Sequence, residues 1–351
     1  AGLLTGVGDG RLAPRSGATR AQYLTAMFGK YMTEEAFVRC VRRNALASAY
    51  QQSYSDSLTY TDAELEAAYQ ADPKAYDKAA WEYVVVSGAA DSTTDADGNT
   101  VQATDEEQAA AKETAKATAE EILAAYNSGK SLESIAGNYE KATYYNTTDA
   151  TYYDGVVGNW LFDDARKDGD TEILEVGTNY YVGLFHSRGR EEYKTVDIRH
   201  ILITPETGTK AQGDEGYEDE QTQLKAAART KAEEILAQWK SGEATEDSFA
   251  QLAMENSADG SKYDGGLYTR VTKGWAVEEF NDWCFDASRK DGDTGIVDTT
   301  YGSHVMYFVG YDLPAWAASV TSDLQEKASS EWSTALSENA DVQQSDFGMK
   351  F

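Results

Sequence analysis

Side chains able to do chemistry are sparse in this chain, and two of its three histidines lie at the ends of one stretch. His200 sits in VDIRHILITPE, which opens at Val196, and His304 sits in TTYGSHVMYFVGYD, which closes at Asp312. Between them come a turn carrying Asp259, a Gly265-Gly266 pair and the aromatic-rich segment EEFNDWCFD. Several chemistries are excluded directly. A Ser-His-Asp hydrolase needs a nucleophile elbow, and no G-x-S-x-G occurs. Cys40 and Cys284 stand far apart without C-x-x-C spacing, so neither a disulfide framework nor a zinc site follows. Cys284, between Trp283 and Phe285, reads as an apolar filler rather than a nucleophile. The DADGN run at Asp95 fails the EF-hand spacing because Gly98 is misplaced, so it reads as a hairpin turn. No metal and no cofactor is implied.

Five segments of this stretch, taken in order, resemble one family. They are the RHIL strand, the SAD turn at Asp259, the GGLY element, the F-x-x-x-x-F helix from Phe280 to Phe285 and the YGSH strand. Their order and spacing are similar to those of parvulin-type peptidyl-prolyl isomerases. The resemblance implies a pair of hydrogen-bonded histidines, His200 and His304, on adjacent strands. It gives Asp259 the family position that polarises or orients at the imide, and Thr299 the hydroxyl that supports the pair. It places Leu267, Ala276 and Phe280 in an apolar cup for the proline ring. Ala276 stands where the family usually has methionine, which makes the cup shallower or leaves it to be filled from elsewhere, as by Trp275. The family's acidic residue after the double glycine is absent, since Leu267 follows Gly266. His186, in LFHSRG, has no such support. No basic cluster lies near the site, so a phosphorylated substrate is not expected.

The elements that must position these residues follow from patterning. Ala1 to Ala21 reads as irregular, followed by a short helix with Tyr23, Leu24, Met27 and Phe28 that ends at Gly29. Thr33, with Glu34 and Glu35 behind it, is a helix N-cap. Phe37, Val41, Ala45, Ala49 and Tyr50 then recur at helical spacing and predict one apolar face. Thr61-x-x-Glu64 is a capping box opening a helix with Leu65 and Tyr69, which Pro73 stops. WEYVVV from Trp81 is a buried strand, and the Ala- and Glu-rich run from Glu106 to Ser128 a helix closed by Gly129. After Leu313-Pro314, Trp316, Val320, Leu324, Ala328, Trp332 and Leu336 fall four apart along an amphipathic helix.

An internal repeat organises the middle. AEEILAAYNSGKS from Ala119 returns as AEEILAQWKSGEA from Ala232, and WLFDDARKDGDTEI from Trp160 as WCFDASRKDGDTGI from Trp283. The offset is 110 residues at Tyr-Asp-Gly but 123 at Trp-x-Phe-Asp, so the first copy is 13 residues shorter after its glycine. Tyr83 stands where His200 stands, and Tyr181 where His304 stands. The first copy thus reads as a degenerate parvulin unit kept for structure or for binding. The expected fold class is α+β: two FKBP-like, parvulin α/β domains inserted in an all-α lobe made by the N-terminal helices and the C-terminal helix. The expected domains are a helical lobe over residues 1–79, the degenerate unit over 80–192, the isomerase unit over 193–312 and the returning helix over 313–351.

Rotating an X-Pro bond makes and breaks no bond, and its barrier is about 20 kcal/mol. About a thousandfold acceleration needs only about 4 kcal/mol, which a few oriented dipoles in a dry pocket supply. The pattern of helix, TDAELEAAYQADPKAYDKA and strand is similar to what precedes the isomerase domain in PrsA- and SurA-like foldases, and that resemblance implies an extracytoplasmic isomerase and chaperone. Its partners would be unfolded or newly secreted polypeptides with X-Pro bonds. The chain starts at Ala1 without a methionine and reads as mature or trimmed, any signal or anchor being out of view. A formal net charge of −29 repels phosphate, so nucleic acid is an unsuitable partner. No apolar run reaches membrane-span length, so direct membrane insertion is not expected. The rival readings are a holdase without isomerase rate, or a peptide-binding surface protein using the same fold.

Overall fold

The computed structural model describes residues 4–6, 12–14, 27–29 and 32–339. The chain divides into two compact units, Ala1–Glu64 with Thr321–Phe351, and Leu65–Val320.

In the first unit, β1 (Leu4–Gly6) pairs antiparallel with β2 (Leu12–Pro14). This corrects two expectations: these six residues are not irregular, and the unit is not all-α. Strands of three residues are too short to show an alternation in sequence. Tyr23 and Leu24 lie outside the described residues, while Met27 and Phe28 are helical and Gly29 adopts φ +91°. Helix α1 (Glu34–Ser57) starts where Thr33 Oγ1 accepts the Ala36 N–H at 3.1 Å. The apolar face expected on α1 is not buried: none of its residues is, and Val41 and Tyr50 are exposed. Its described cover is local. Tyr54 stacks on Trp332 at 4.7 Å, and Gln325 Nε2 donates to the carbonyls of Ser55 and Leu58 at 3.3 Å.

Helix α2 (Asp62–Ala71), which passes into the second unit at Leu65, opens with the capping box, the Thr61 N–H donating to Glu64 Oε2 at 2.8 Å. A short helix, α3 (Pro73–Tyr76), leads into β3 (Lys78–Val86). The hairpin β4 (Thr93–Thr94) and β5 (Thr100–Val101) carries the DADGN turn. Then come α4 (Asp105–Asn127), α5 (Leu132–Ala136), β6 (Ala142–Ala150), α6 (Val156–Leu161), β7 (Thr171–Val176) and β8 (Asn179–Gly189). The second copy repeats the order with β9 (Lys194–Ile203), α7 (Tyr217–Ser241), α8 (Glu246–Asn256) and a 3-10 turn (Gly260–Asp264). It closes with β10 (Leu267–Val271), α9 (Glu278–Cys284), β11 (Thr294–Thr299) and β12 (Gly302–Pro314), and α10 (Ala315–Asn339) follows.

Both sheets are four-stranded and antiparallel, with orders β6-β3-β8-β7 and β10-β9-β12-β11, which are the same order element for element. The class is α+β, as expected. In the second copy, strand alternation sends Ile201 and Val305 toward α7 and α8, where Ile235, Trp239, Phe249 and Leu252 bury them. The opposite parity sends Val196, Ile198, Met306 and Phe308 toward α9 and Phe280. His200 and His304 continue these two apolar rows at the same parity, so both imidazoles emerge on the α9 face. Among the described residues no helix is long and apolar enough to cross a membrane.

Candidate active site

Residues 257–266 are tied to β9 by backbone and side-chain hydrogen bonds. The Ala258 N–H donates to the Leu202 carbonyl at 2.9 Å, and the Leu202 N–H to Ser257 Oγ at 3.1 Å. Arg199 Nη1 donates to the Asp264 and Gly265 carbonyls, and its Nε to Glu246. The chain then leaves the turn through Gly265 and Gly266, at φ +67° and +76°. A Cβ on Gly266 would lie 2.3 Å from the His200 carbonyl oxygen, so only glycine lets the turn press against this strand.

His200 and His304 meet on adjacent strands, Nδ1 to Nδ1 at 3.1 Å, with the rings near parallel. Both are buried, 3% and 6% exposed. One proton lies between the two Nδ1 atoms, because two N–H groups cannot face each other at that distance. The outer nitrogens are also engaged. His304 Nε2 lies 2.9 Å from Thr299 Oγ1. His200 Nε2 lies 3.3 Å from both Asp259 Oδ1 and Ser261 Oγ. A carboxylate only accepts, so His200 Nε2–H donates to Asp259, His304 Nδ1–H to His200 and the Thr299 hydroxyl to His304 Nε2, and the row is polarised toward Asp259.

Asp259 caps the 3-10 turn. Its Oδ1 accepts the Ser261 N–H at 2.8 Å, the Ser261 hydroxyl at 2.6 Å and the Tyr268 hydroxyl at 2.9 Å. The His200 hydrogen bond, then those from Ser261, hold this carboxyl well below the usual carboxylate range against the cost of burial. Burial, and then the charge of neighbouring His200, pull the His304 imidazole down to about 4.

Acid should therefore loosen this unit in two stages. Unfolded, His304 binds its proton near pH 6.5; folded, it does so only near 4. Its contribution is complete above pH 6.5 and is lost as pH falls toward 4. Asp259 adds to the trend below that, its contribution fading as pH drops from the ordinary carboxylate pKa toward its depressed one. Urea unfolding should show this unit weaker at pH 4.5 than at pH 7, by up to about 3 kcal/mol. A midpoint flat across that window would mean that His304 is not sealed from water.

Beside the row lies an open hollow of about 290 Å³, lined by His200, Asp259, Tyr268, Trp275, Ala276, Val277, Phe280, Tyr301 and His304. Phe280 stands edge-on to both imidazoles, with centroids 5.5 and 5.3 Å away. Of the expected residues, His200, His304 and Asp259 converge here with Ala276 and Phe280, and Thr299 reaches the row from behind His304. Leu267 does not line the hollow; Tyr268 does. Leu267 is paired with Arg199 and Tyr268 with Ile198, and successive residues of a strand face opposite sides. The place expected to be filled next to Ala276 is taken by Trp275, half exposed, with its ring 4.7 Å from that of Tyr268. Ser261, Val277 and Tyr301 escaped sequence reasoning. Only Ser261 had a signal, standing two residues after an aspartate as in an Asx turn. His186 lies in the first copy, its Nε2 3.0 Å from Glu82.

A family model described as the PPIC-type PPIase domain matches residues 182–309, from within β8 to within β12. The curated foldase protein PrsA 1 of Listeria innocua is 29% identical over 142 residues, 39% of this chain and 39% of that protein. The match thus spans about two fifths of the length of that relative. Among solved structures, PrsA from Bacillus subtilis is 22% identical over 43% of this chain and 52% of its own, with a TM-score of 0.28. A SurA-like chaperone of Campylobacter jejuni is 14% identical over 92% of this chain and 78% of its own, with a TM-score of 0.25. Residues 182–309 thus match the model of the PPIC-type PPIase domain, and part of the chain is similar to the foldase protein PrsA 1.

Proposed function

We propose that the second copy isomerises X-Pro bonds in unfolded, exported polypeptides, and that the chain is an extracytoplasmic foldase. In this reading residues 193–312 are the catalytic domain, 80–192 a degenerate copy, and 1–79 with 313–351 a chaperone lobe. The observation that carries it is the joined histidine pair, flanked by Thr299 and Asp259, at the mouth of an open apolar hollow. Planar amide resonance separates charge, and that separation falls as the C–N bond twists. A hollow walled by Phe280, Val277, Ala276 and Tyr268 offers the planar form little solvation and so favours the twisted one. Asp259 Oδ2 takes no hydrogen bond from the described residues and is available to accept a substrate backbone N–H. His200 and His304 keep that carboxylate charged and in place.

The test is an X-Pro peptide exchange assay on the full chain. The unaltered protein should accelerate exchange, and Asp259→Ala should cut kcat/KM by about 10- to 100-fold, or roughly 1.4–2.7 kcal/mol. An unaltered protein no faster than the uncatalysed reaction would leave a holdase that only grips extended chain.

A further inference from the structure

Behind the histidine row the two copies differ at one hairpin. In the second copy Asp298 pairs with Ser303 and Thr299 with Gly302, across β11 and β12. In the first copy Glu175 pairs with Tyr180 and Val176 with Asn179, across β7 and β8. The helices over these hairpins correspond too: the shared AEEILA at Ala119 and Ala232 sets Lys112 against Lys225 and Lys116 against Arg229. In the first copy the place is closed. Tyr180 is 4% exposed in one core cluster with Ala115 of α4, its hydroxyl 3.3 Å from Glu175 Oε2. Lys112 Nζ lies 2.6 Å from Glu175 Oε1.

In the second copy the place is open. Serine stands for the tyrosine, and the aspartate is shorter than the glutamate. A cavity of about 340 Å³ lies there, and its lining includes Pro205, Lys225, Ala226, Arg229, Thr299 and Ser303. Asp298, at its wall, is already engaged. Arg229 Nη1 donates to its Oδ2 at 2.6 Å and Ser303 Oγ to its Oδ1 at 2.7 Å. Arg229 Nε holds Glu233 as well, at 3.0 Å. Lys225 is exposed and has no ion pair among the described residues, unlike its counterpart Lys112. It stands one helical turn from Arg229, and like charges at that spacing repel unless an anion lies between them. Lys225 and Arg229 against Asp298 leave the lining one positive charge. In a chain of net charge −29 the general field would not put that sign there.

Thr299 joins this cavity to the histidine row, where the first copy has Val176. Its hydroxyl has one proton, which it gives to His304 Nε2 at 2.9 Å. A carboxylate in the cavity is a stronger acceptor than a neutral imidazole. A hydroxyl that turns to it leaves His304 Nε2 buried without a donor. We propose that the cavity is an effector site for a small organic carboxylate, held by Lys225 and the Thr299 hydroxyl, which slows X-Pro exchange by withdrawing Thr299 from His304. The single surplus charge selects a monoanion over phosphate. Pro205 and Ala226 select an acid with a short apolar body over a bare inorganic ion. The effect on rate rests on the isomerase reading of the second copy; the binding does not.

The probes are butyrate, butyramide and inorganic phosphate, each added to the full chain at constant ionic strength. A ligand of so few atoms should bind at about 1–10 mM. Butyrate should shift the ring signals of His304 in NMR and leave those of His186, in the first copy, unmoved. It should cut kcat for X-Pro exchange several-fold with little change in KM, and butyramide should do neither. Lys225→Met, a change at an exposed position outside the row, should keep the parent's basal rate and lose both responses. No His304 shift with butyrate, or a shift that survives Lys225→Met or that butyramide gives equally, would overturn the site. A response to phosphate and not to butyrate would overturn the carboxylate. A Lys225-dependent shift with the catalysed rate unchanged would overturn the effector role. The same shift in a protein that accelerates no exchange would sink the isomerase reading and leave the binding site standing.

Discussion

Gly266→Ala is expected to abolish X-Pro exchange and to destabilise the second copy by about 3 kcal/mol or more. The residue sits at φ +76°, where an L side chain costs roughly 1–2 kcal/mol by itself. The added Cβ would also lie 2.3 Å from the His200 carbonyl oxygen and 3.1 Å from Ala253 Cβ. Backbone, not a flexible side-chain tip, is what it meets, so β9 and the glycine pair must separate. Their separation breaks the bond from the His200 N–H to the Gly266 carbonyl and moves His200 off His304. Gly260→Ala is the matched control, since a Cβ there meets nothing within 4 Å. It should change stability by no more than about 0.5 kcal/mol. Denaturant unfolding with the exchange assay reads both, and a Gly266→Ala protein as stable and active as the parent would mean that the turn does not press on the histidine strand.

What was legible in sequence and what was not divide along physical lines. His200 and His304 could be placed together because the RHIL and YGSH segments resemble parvulin strands; in the structure each continues an apolar row of period two, which sets the face it takes. The repeat could be read because its helices and its Trp-x-Phe-Asp segment keep residue identity. Tyr268 was passed over for Leu267 by a single step. The strand starts straight after two glycines with positive φ, and such a bend resets the parity on which face counting relies. Spacing on α1 gave a stripe, but spacing says nothing of whether a stripe is covered, and here it is not. The ladder between β1 and β2 pairs two runs of three residues, with no pattern longer than three to betray it. Ser261 acts through one hydroxyl placed by a 3-10 turn, a local geometry that composition does not carry.

Phe280→Ala is expected to cost about 3–5 kcal/mol of stability and most of the isomerase rate, for separable reasons. The side chain is 3% exposed among Val196, Ile198, Val271 and Met306, so truncation leaves a cavity in the packed face of the sheet. The same ring walls the hollow and shields both imidazoles edge-on, at interplanar angles of 86° and 81°. Burial is the main reason that His304 titrates near 4, so admitting water there should return its pKa toward 6.5. The histidine pair then takes a second proton in mildly acid solution, and its two Nδ1–H groups repel. Exchange should fall more than about 10-fold at pH 7, and the pH at which the remaining rate is lost should move upward. Phe280→Leu keeps most of the volume but not the flat edge, so it should restore much of the stability and less of the rate. NMR titration of His304 separates the two effects: a folded Phe280→Ala protein whose His304 still titrates near 4 would show that other walls keep the pair dry, and that this ring serves packing alone.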